Sequence, residues 1–389
     1  MTTNAPTELD STAILANARA LGPEIEAAAD AIARERRLPD ALIESMRRAG
    51  IFRIAFPRAW GGPEMDPLAQ CVLMETLAYH DASVAWVAMI CSDSGHYAAR
   101  VDEQTARELY PHLDLLTAGW LAPVGQAHKA DGGYRVSGRW QFGSGCLHAD
   151  RLIGGCMLLE DGAPVFNGGQ IPEFRVVWLP RDQVEIHDTW YTTGLAGSGS
   201  NDYAVTDVLV PAAHAFHPFQ AGQRPEPLYR YHGFFFTNLP AVALGCARRM
   251  LDDLCRLALH KVSMPAMQLL KDEYRVQVAV GDATARLGAA RAYQNDRLGV
   301  LWEALGRGDE PTRDMRAGIA LMSVHAIQTA QQVAEIVCEA AGTSAIYASS
   351  PFDRRRRDLA TIAAHFVGQR RTLQTAGQLL FGADIPTFV

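Results

Sequence analysis

Gly133-Tyr134-Arg135-Val136-Ser137-Gly138-Arg139-Trp140-Gln141-Phe142-Gly143-Ser144-Gly145-Cys146 is the stretch on which the fold turns. It opens at one turn signal, Asp131-Gly132-Gly133, and closes at another, Gly143-Ser144-Gly145, with a strand-like run between. The pattern continues downstream. Residues 151–159 (RLIGGCMLL), 174–179 (FRVVWL) and 203–210 (YAVTDVLV) are strand-like, and Gly154-Gly155, Asp161-Gly162 and Gly168-Gly169 punctuate the region. Short β-rich runs with recurrent turns indicate a sandwich or barrel. Composition shifts to this pattern near residue 116 and leaves it after Pro211.

Helical periodicity brackets the β region on both sides. Upstream, 39–50 (PDALIESMRRAG) puts Pro39 just inside a helix start and Gly50 just past its stop. Gly61-Gly62-Pro63 is a turn, and the apolar run 68–91, broken at Asp81-Ala82-Ser83, suits two mostly buried helices. Downstream, Ala243, Ala247, Met250, Leu254 and Leu257 recur at steps of four and three, which makes one apolar stripe. Long patterns follow at 277–305, 315–341 and 358–380. The order predicts an α+β multidomain chain: an N-terminal helical domain (1–115), a middle β-barrel or sandwich domain (116–225) and a C-terminal four-helix bundle (226–389). The cluster Gly194-Leu195-Ala196-Gly197-Ser198-Gly199 leads into a strand-like run rather than a helix, so it is not a dinucleotide fingerprint.

Composition narrows the partners. The chain has 389 residues, 48% hydrophobic and 20% charged, with a net charge of −7. That balance suits a soluble globular protein and argues against nucleic acid or an anionic membrane as partner. No apolar stretch reaches the roughly 20 residues that a membrane-spanning helix needs. The opening MTTNAPTELDSTA lacks the basic start and apolar core of a secretory signal, so a cytoplasmic protein is expected. Seven cysteines contain no CxxC pair, which indicates reduced thiols and no metal site.

Three segments together resemble the acyl-CoA dehydrogenase superfamily, over nearly the whole chain. Residues 138–146 look like its flavin-contacting strand. Residues 188–190, 194–202 and 207–211 look like its second flavin-side strand pair. Ser349-Ser350-Pro351-Phe352 with Arg357-Asp358 and His365 resembles the branch of two-component flavin-dependent monooxygenases (group D), which includes dibenzothiophene monooxygenase, hydroxyphenylacetate hydroxylase, steroid-phenol hydroxylases and amino-sugar nitrososynthases. The resemblance implies reduced FAD or FMN supplied by a separate flavin reductase, a small-molecule substrate and a homotetramer packed through its bundles. One departure is Ala196, where many relatives carry arginine before the Gly-Ser-Gly-Ser run.

Dehydrogenation on this fold needs a carboxylate base to take a weakly acidic α-proton. The family holds it in one of two places. Here the first reads Ile346-Tyr347-Ala348-Ser349, with alanine where the glutamate would stand, and the second falls near Asn238. No glutamate lies between Pro227 and Lys271. The oxygenase alternative forms a C4a-(hydro)peroxyflavin from reduced flavin and O2, which survives where water is excluded and the flavin N5 proton is held. By resemblance Ser144 is the hydroxyl for that task; its ordinary alternative is service to the Gly-Ser-Gly turn. His365, seven residues after Asp358, is the candidate acid/base, since an ordinary imidazole near pH 6.5 suits proton transfer. Its alternative is a histidine satisfied within the bundle. His96 is a second candidate, equally readable as a helix-end histidine.

Flavin contacts are implied for Trp120, Trp140, Phe142, Ser144, Gly145, Gly197, Ser198 and Ser200. Trp120, Trp140 and Trp190 would form an aromatic wall, although such residues are more often core, which is the default reading for Trp190. Arg357, in the run Arg354–Arg357, is a candidate for a flavin phosphate, against the more usual fate of a solvated or salt-bridged face. The aromatic joint 228–236 (LYRYHGFFF) suggests an apolar or aromatic substrate. Two other functions stay open: an acyl-CoA dehydrogenase or nitroalkane-oxidase-like FAD enzyme with a non-standard base, for which Asp252 and Asp253 are the nearest acids, and a non-catalytic descendant of the fold.

Overall fold

The computed structural model describes residues 9–166, 172–220, 222–264, 266–383 and 385. The turn expected at Gly168-Gly169 and residues 1–8 of the opening segment lie outside them.

Among the described residues seven helices come first: α1 (Ser11–Ala20), α2 (Gly22–Glu35), α3 (Asp40–Arg48), α4 (Pro67–His80), α5 (Ala82–Cys91), α6 (Ser94–Ala98) and α7 (Glu103–Leu109). Pro39 is the N-cap of α3 rather than its first helical residue, while Gly50, just beyond the helix, takes the left-handed conformation at φ 82. The break expected near residue 81 has a clear cause. Asp81 ends α4 and its carboxylate accepts the first free N–H groups of α5, from Ser83 (2.8 Å) and Val84 (3.1 Å). Helix α5 is buried on nearly every side, so it is a central element that presents side chains to both neighbouring domains.

The middle region is one eight-stranded sheet: β1 (Thr117–Ala130), β2 (Gly133–Gly143), β3 (Arg151–Glu160), β4 (Ala163–Pro164), β5 (Phe174–Leu179), β6 (Glu185–His187), β7 (Asn201–Pro211) and β8 (Ala215–Phe216). The order is β6-β7-β2-β1-β3-β5-β8, with β4 paired to β3; among the described residues only β1 and β3 run parallel. Trp140 fills the centre of this sheet. It is fully buried, stacks on Tyr203 at 5.4 Å and donates its indole N–H to the Gly155 carbonyl at 2.8 Å. Gly125, Gly138 and Gly154 leave room for its ring. The expected flavin-wall role for Trp140 is therefore corrected to a core role.

A short helix α8 (Pro227–Arg230) leads into α9 (Leu239–Ala258), a small hairpin β9 (Val262–Ser263) and β10 (Gln268–Leu269), and the long helices α10 (Tyr274–Gly306) and α11 (Arg313–Ala341). Helix α11 touches α9, α10 and the last two helices, and α9 packs on α4 and α5, which joins the bundle to the N-terminal helices. The aromatic joint is mostly packing: Tyr229, Tyr231, Phe234 and Phe235 are buried. The single helix expected over 358–380 is two, α12 (Pro351–Ala364) and α13 (Arg370–Leu380). His365 leaves helical geometry at ψ 144, and its ring accepts the Val367 N–H. That break turns the His365 side chain out of the helix line.

Candidate active site

The C-terminal end of β2 carries the first half of the site. Phe142 is left-handed (φ 59), a costly state for a bulky residue, and half its surface is exposed. Trp120 and Trp190 meet its ring edge-on at 5.6 and 6.3 Å, so the three make an open aromatic ledge. Gly145 donates its N–H to the Ser198 carbonyl (2.9 Å), which ties the β2 end to the 195–199 loop. A Cβ on Gly145, at φ 74, would stand 2.6 Å from Cys91 Sγ, and one on Gly197 would stand 2.0 Å from Ile32 Cγ2. These two glycines let the loops lie on α5 and α2, which explains them without a ligand.

Ser144 sits in a hydrogen-bond chain. Trp86 donates its indole N–H to Ser144 Oγ at 3.0 Å. Ser144 Oγ lies 2.7 Å from Ser200 Oγ, which lies 2.7 Å from Ser198 Oγ, and Ser198 donates to the Leu195 carbonyl at 2.7 Å. Ser198 and Ser200 are as fully buried as Ser144, and their hydroxyls are joined to it in one chain.

The second half comes from the bundle. His365 meets Trp86 edge-on at 5.7 Å and is flanked by Phe236 (5.9 Å) and Phe366 (4.6 Å). Trp86 thus links Ser144 on the β domain to His365 on the bundle. From sequence Trp86 reads as core, because it lies inside the apolar run ASVAWVAMIC; its being the one aromatic there is the available signal. Burial, and then the Arg371 charge, push the His365 imidazole down to about 4. It is neutral at neutral pH, not poised at its ordinary value, and since Nδ1 accepts the Val367 N–H (3.4 Å) its proton sits on Nε2.

His96 is not beside His365. It lies at 5.4 Å from the Phe235 ring and 6.2 Å from Tyr229, with Phe235 and Phe236 between the two histidines. Its Nε2 is buried without a partner. Arg100, one turn on, lies over the same Phe235 ring at 5.7 Å and donates to the Gln220 carbonyl. Its Nε has no partner, and among the described residues it forms no ion pair with a carboxylate.

Burial, followed by the Arg100 charge, lowers His96 to about 3. A depressed folded value means stability present above the unfolded value near 6.5 and lost as pH falls toward 3. At pH 5 this one group should cost about 2 kcal/mol. His96→Phe cannot titrate, so relative to wild type it should gain that much between pH 7.5 and pH 5 in urea unfolding. An unchanged difference between the two pH values would show that His96 is freely protonated in the fold.

The arginine run is largely spent on the chain itself. Arg355 pairs with Asp253 (2.7 Å), Arg356 with Glu335 (2.7 Å) and Arg354 approaches Asp30 (3.6 Å). Arg357 pairs with Asp353 (2.9 Å) and donates to the Thr193 carbonyl, and it keeps a partly exposed side. The proposed substitute bases are also committed. Asp253 is held by Arg249, Arg256 and Arg355, and Asp252 by Arg248 and the Tyr79 hydroxyl. Ala348 lies in an exposed stretch, and Asn238 is buried against Gln70 with its Oδ1 unpartnered. Neither family position offers a carboxylate.

The site suits a flat, redox-active ring: an aromatic ledge, a buried hydroxyl with one lone pair still unspent, and a neutral imidazole beyond an indole. Residues 10–111 match the family described as acyl-CoA dehydrogenase, N-terminal domain, and residues 238–370 match acyl-CoA dehydrogenase, C-terminal domain. The chain is 32% identical over 379 residues to the indole-3-acetate monooxygenase of Pseudomonas putida, covering 94% of this chain and 95% of that one. It is 29% identical over 366 residues to the oxygenase subunit HsaA, a flavin-dependent monooxygenase of Mycobacterium tuberculosis, covering 90% of each. The crystal structure of HsaA from that organism superposes with a TM-score of 0.89 at 26% identity, over 97% of this chain and 99% of that one. XiaF from Streptomyces sp., in complex with FADH2 and glycerol, superposes with a TM-score of 0.90 over 97% of both chains, at 21% identity, which speaks to the fold alone.

Proposed function

This chain belongs to the acyl-CoA dehydrogenase family, among its flavin-dependent monooxygenases, and from that premise we propose that Ser144, Trp86 and His365 form the reacting face of its site and that its substrate is a planar aromatic acid. The enzyme is the oxygenase component of a two-component flavin-dependent monooxygenase. Reduced flavin, delivered by a separate reductase, supplies when bound the two electrons that activate O2.

The observation that carries the site assignment is the continuous contact from Ser144 Oγ through the Trp86 indole to the His365 ring. Phe142, Trp120 and Trp190 would take the face of the flavin ring, and Ser144 would hold a proton at its N5 edge. His365 Nε2–H would donate into the space where oxygen is transferred, while Phe236, Phe366 and Trp86 exclude water around it. Arg357 would lie toward the flavin's phosphate end, which its exposed side supports. A homotetramer in the cytoplasm is the expected state; the exposed Tyr274, Val278 and Val300 on α10 support association through the bundle.

The substrate reading rests on Arg100 and His96. A buried guanidinium without a carboxylate is costly, and an anionic substrate group would offset that cost. Indole-3-acetate, the substrate named for the Pseudomonas putida relative, has the required ring and carboxylate. With Arg100→Met, KM for indole-3-acetate should rise on the order of tenfold or more, while indole, which lacks the carboxylate, should be oxidised as by wild type. Equal effects on both compounds would remove Arg100 from substrate recognition.

The class is tested by anaerobic titration with FADH2 and FMNH2 followed by a pulse of 18-O2 with indole-3-acetate. Label in the product, appearing only with reduced flavin, is the expected result. Anaerobic bleaching of bound FAD by an acyl-CoA thioester, without label incorporation, would return the dehydrogenase alternative.

A further inference from the structure

The serine chain has a direction. Each hydroxyl has one proton to give. Ser198 gives its proton to the Leu195 carbonyl, which can only accept. Its 2.7 Å contact with Ser200 therefore needs the Ser200 proton, and the 2.7 Å contact between Ser200 and Ser144 needs the Ser144 proton. Only this assignment leaves no pair of lone pairs facing each other at 2.7 Å. The Leu195 carbonyl also accepts the Ser198 N–H and the Trp190 indole N–H, each at 3.0 Å, and the Ser198 hydroxyl makes the shortest of the three contacts.

The consequence falls on Ser144. Its proton points back to Ser200, and one lone pair receives the Trp86 N–H. What it can offer a ligand is its second lone pair: toward the site Ser144 is an acceptor. Reduced flavin carries N5–H, a donor, whereas oxidised flavin presents N5 as a bare acceptor. We propose that Ser200 and Ser198 are positioning residues that fix the polarity of Ser144 and so make the site select reduced over oxidised flavin. This rests on the placement of Ser144 at the N5 edge argued above.

The test is binding rather than turnover. Oxidised and reduced FMN and FAD are titrated anaerobically into wild type, Ser200→Ala and Ser198→Ala, and the ratio of Kd for the oxidised to the reduced form is compared. Ser200→Ala frees the Ser144 proton to turn outward and meet oxidised N5, so the ratio should fall on the order of tenfold. Ser198→Ala loosens the relay one step further back and should shift the ratio the same way by less. Thermal unfolding of each variant checks that the fold is kept; if Ser200→Ala does not fold, Ser198→Ala decides. Unchanged ratios in the folded variants, alongside weaker reduced-flavin binding in Ser144→Ala, would overturn the relay and leave the Ser144 assignment intact. Unchanged binding of both flavin forms in Ser144→Ala would overturn that assignment itself.

Discussion

His365→Asn should leave an enzyme that still consumes reduced flavin and O2 but releases nearly all of it as hydrogen peroxide. The product yield should fall on the order of 100-fold, the usual size of a positioned proton-transfer group, while oxygen consumption stays within about threefold of wild type. The reason lies in where the ring sits. His365 is outside the hydrogen-bond chain of Ser144 and reaches it only through Trp86, so its loss leaves the Ser144 contacts in place. Its imidazole is packed against Trp86, Phe236 and Phe366. The pH profile is a second check. With its imidazole near 4, His365 is neutral across pH 6 to 8, and product yield should show no titration near 6.5 that belongs to it. Product yield equal to wild type in the variant sinks the role; a limb near 6.5 that vanishes with the histidine means it acts as imidazolium.

The sequence carried the layers of this fold better than its details. Stripes at helical spacing appear because a bundle buries one face of each helix, so α9, α10 and α11 were legible. The strands were legible from the turns that bound them. The break between α12 and α13 was not: residues 358–380 are compatible with one helix, and what stops it is a local cap together with a tertiary contact. The His365 ring accepts the Val367 N–H, and Gly368 lies against Ile327 and Ala363. The site suffered in the same way. Trp140 and Phe142 share a motif, yet one is the sheet's centre and the other is half-exposed. The register slips between Trp140 and Gly143, and Phe142 goes left-handed, so strand alternation does not say which ring faces out. Ser144, Ser198 and Ser200 could be named from the motif, but only distances show that they form one directed chain.

The same limit hid what Asp358, named in the motif, holds in place, and replacing it should have the largest effect on the fold. Its buried carboxyl accepts the Leu195 N–H at 2.6 Å, and Leu195 is itself left-handed at φ 50. This bond, beside the one from Arg357 to the Thr193 carbonyl, ties α12, the helix that delivers His365, to the loop that ends the serine relay. Asp358→Ala leaves a buried N–H without an acceptor and a strained residue without its clamp, a loss of about 2–4 kcal/mol in urea unfolding. Burial, then the nearby Asp81 charge, raises the Asp358 carboxyl to about 7. A folded value above the unfolded one near 3.8 means stability that is complete below about pH 4 and lost as pH climbs toward 7. Asp358→Asn keeps an acceptor oxygen and cannot ionise, so it should match wild type near pH 4 and exceed it at pH 8. If the alanine variant unfolds within about 0.5 kcal/mol of wild type, the clamp is not what holds the loop. If the asparagine variant tracks wild type at every pH, the carboxyl is ionised in the fold at neutral pH, and the charge on Arg354 and Arg357 outweighs its burial.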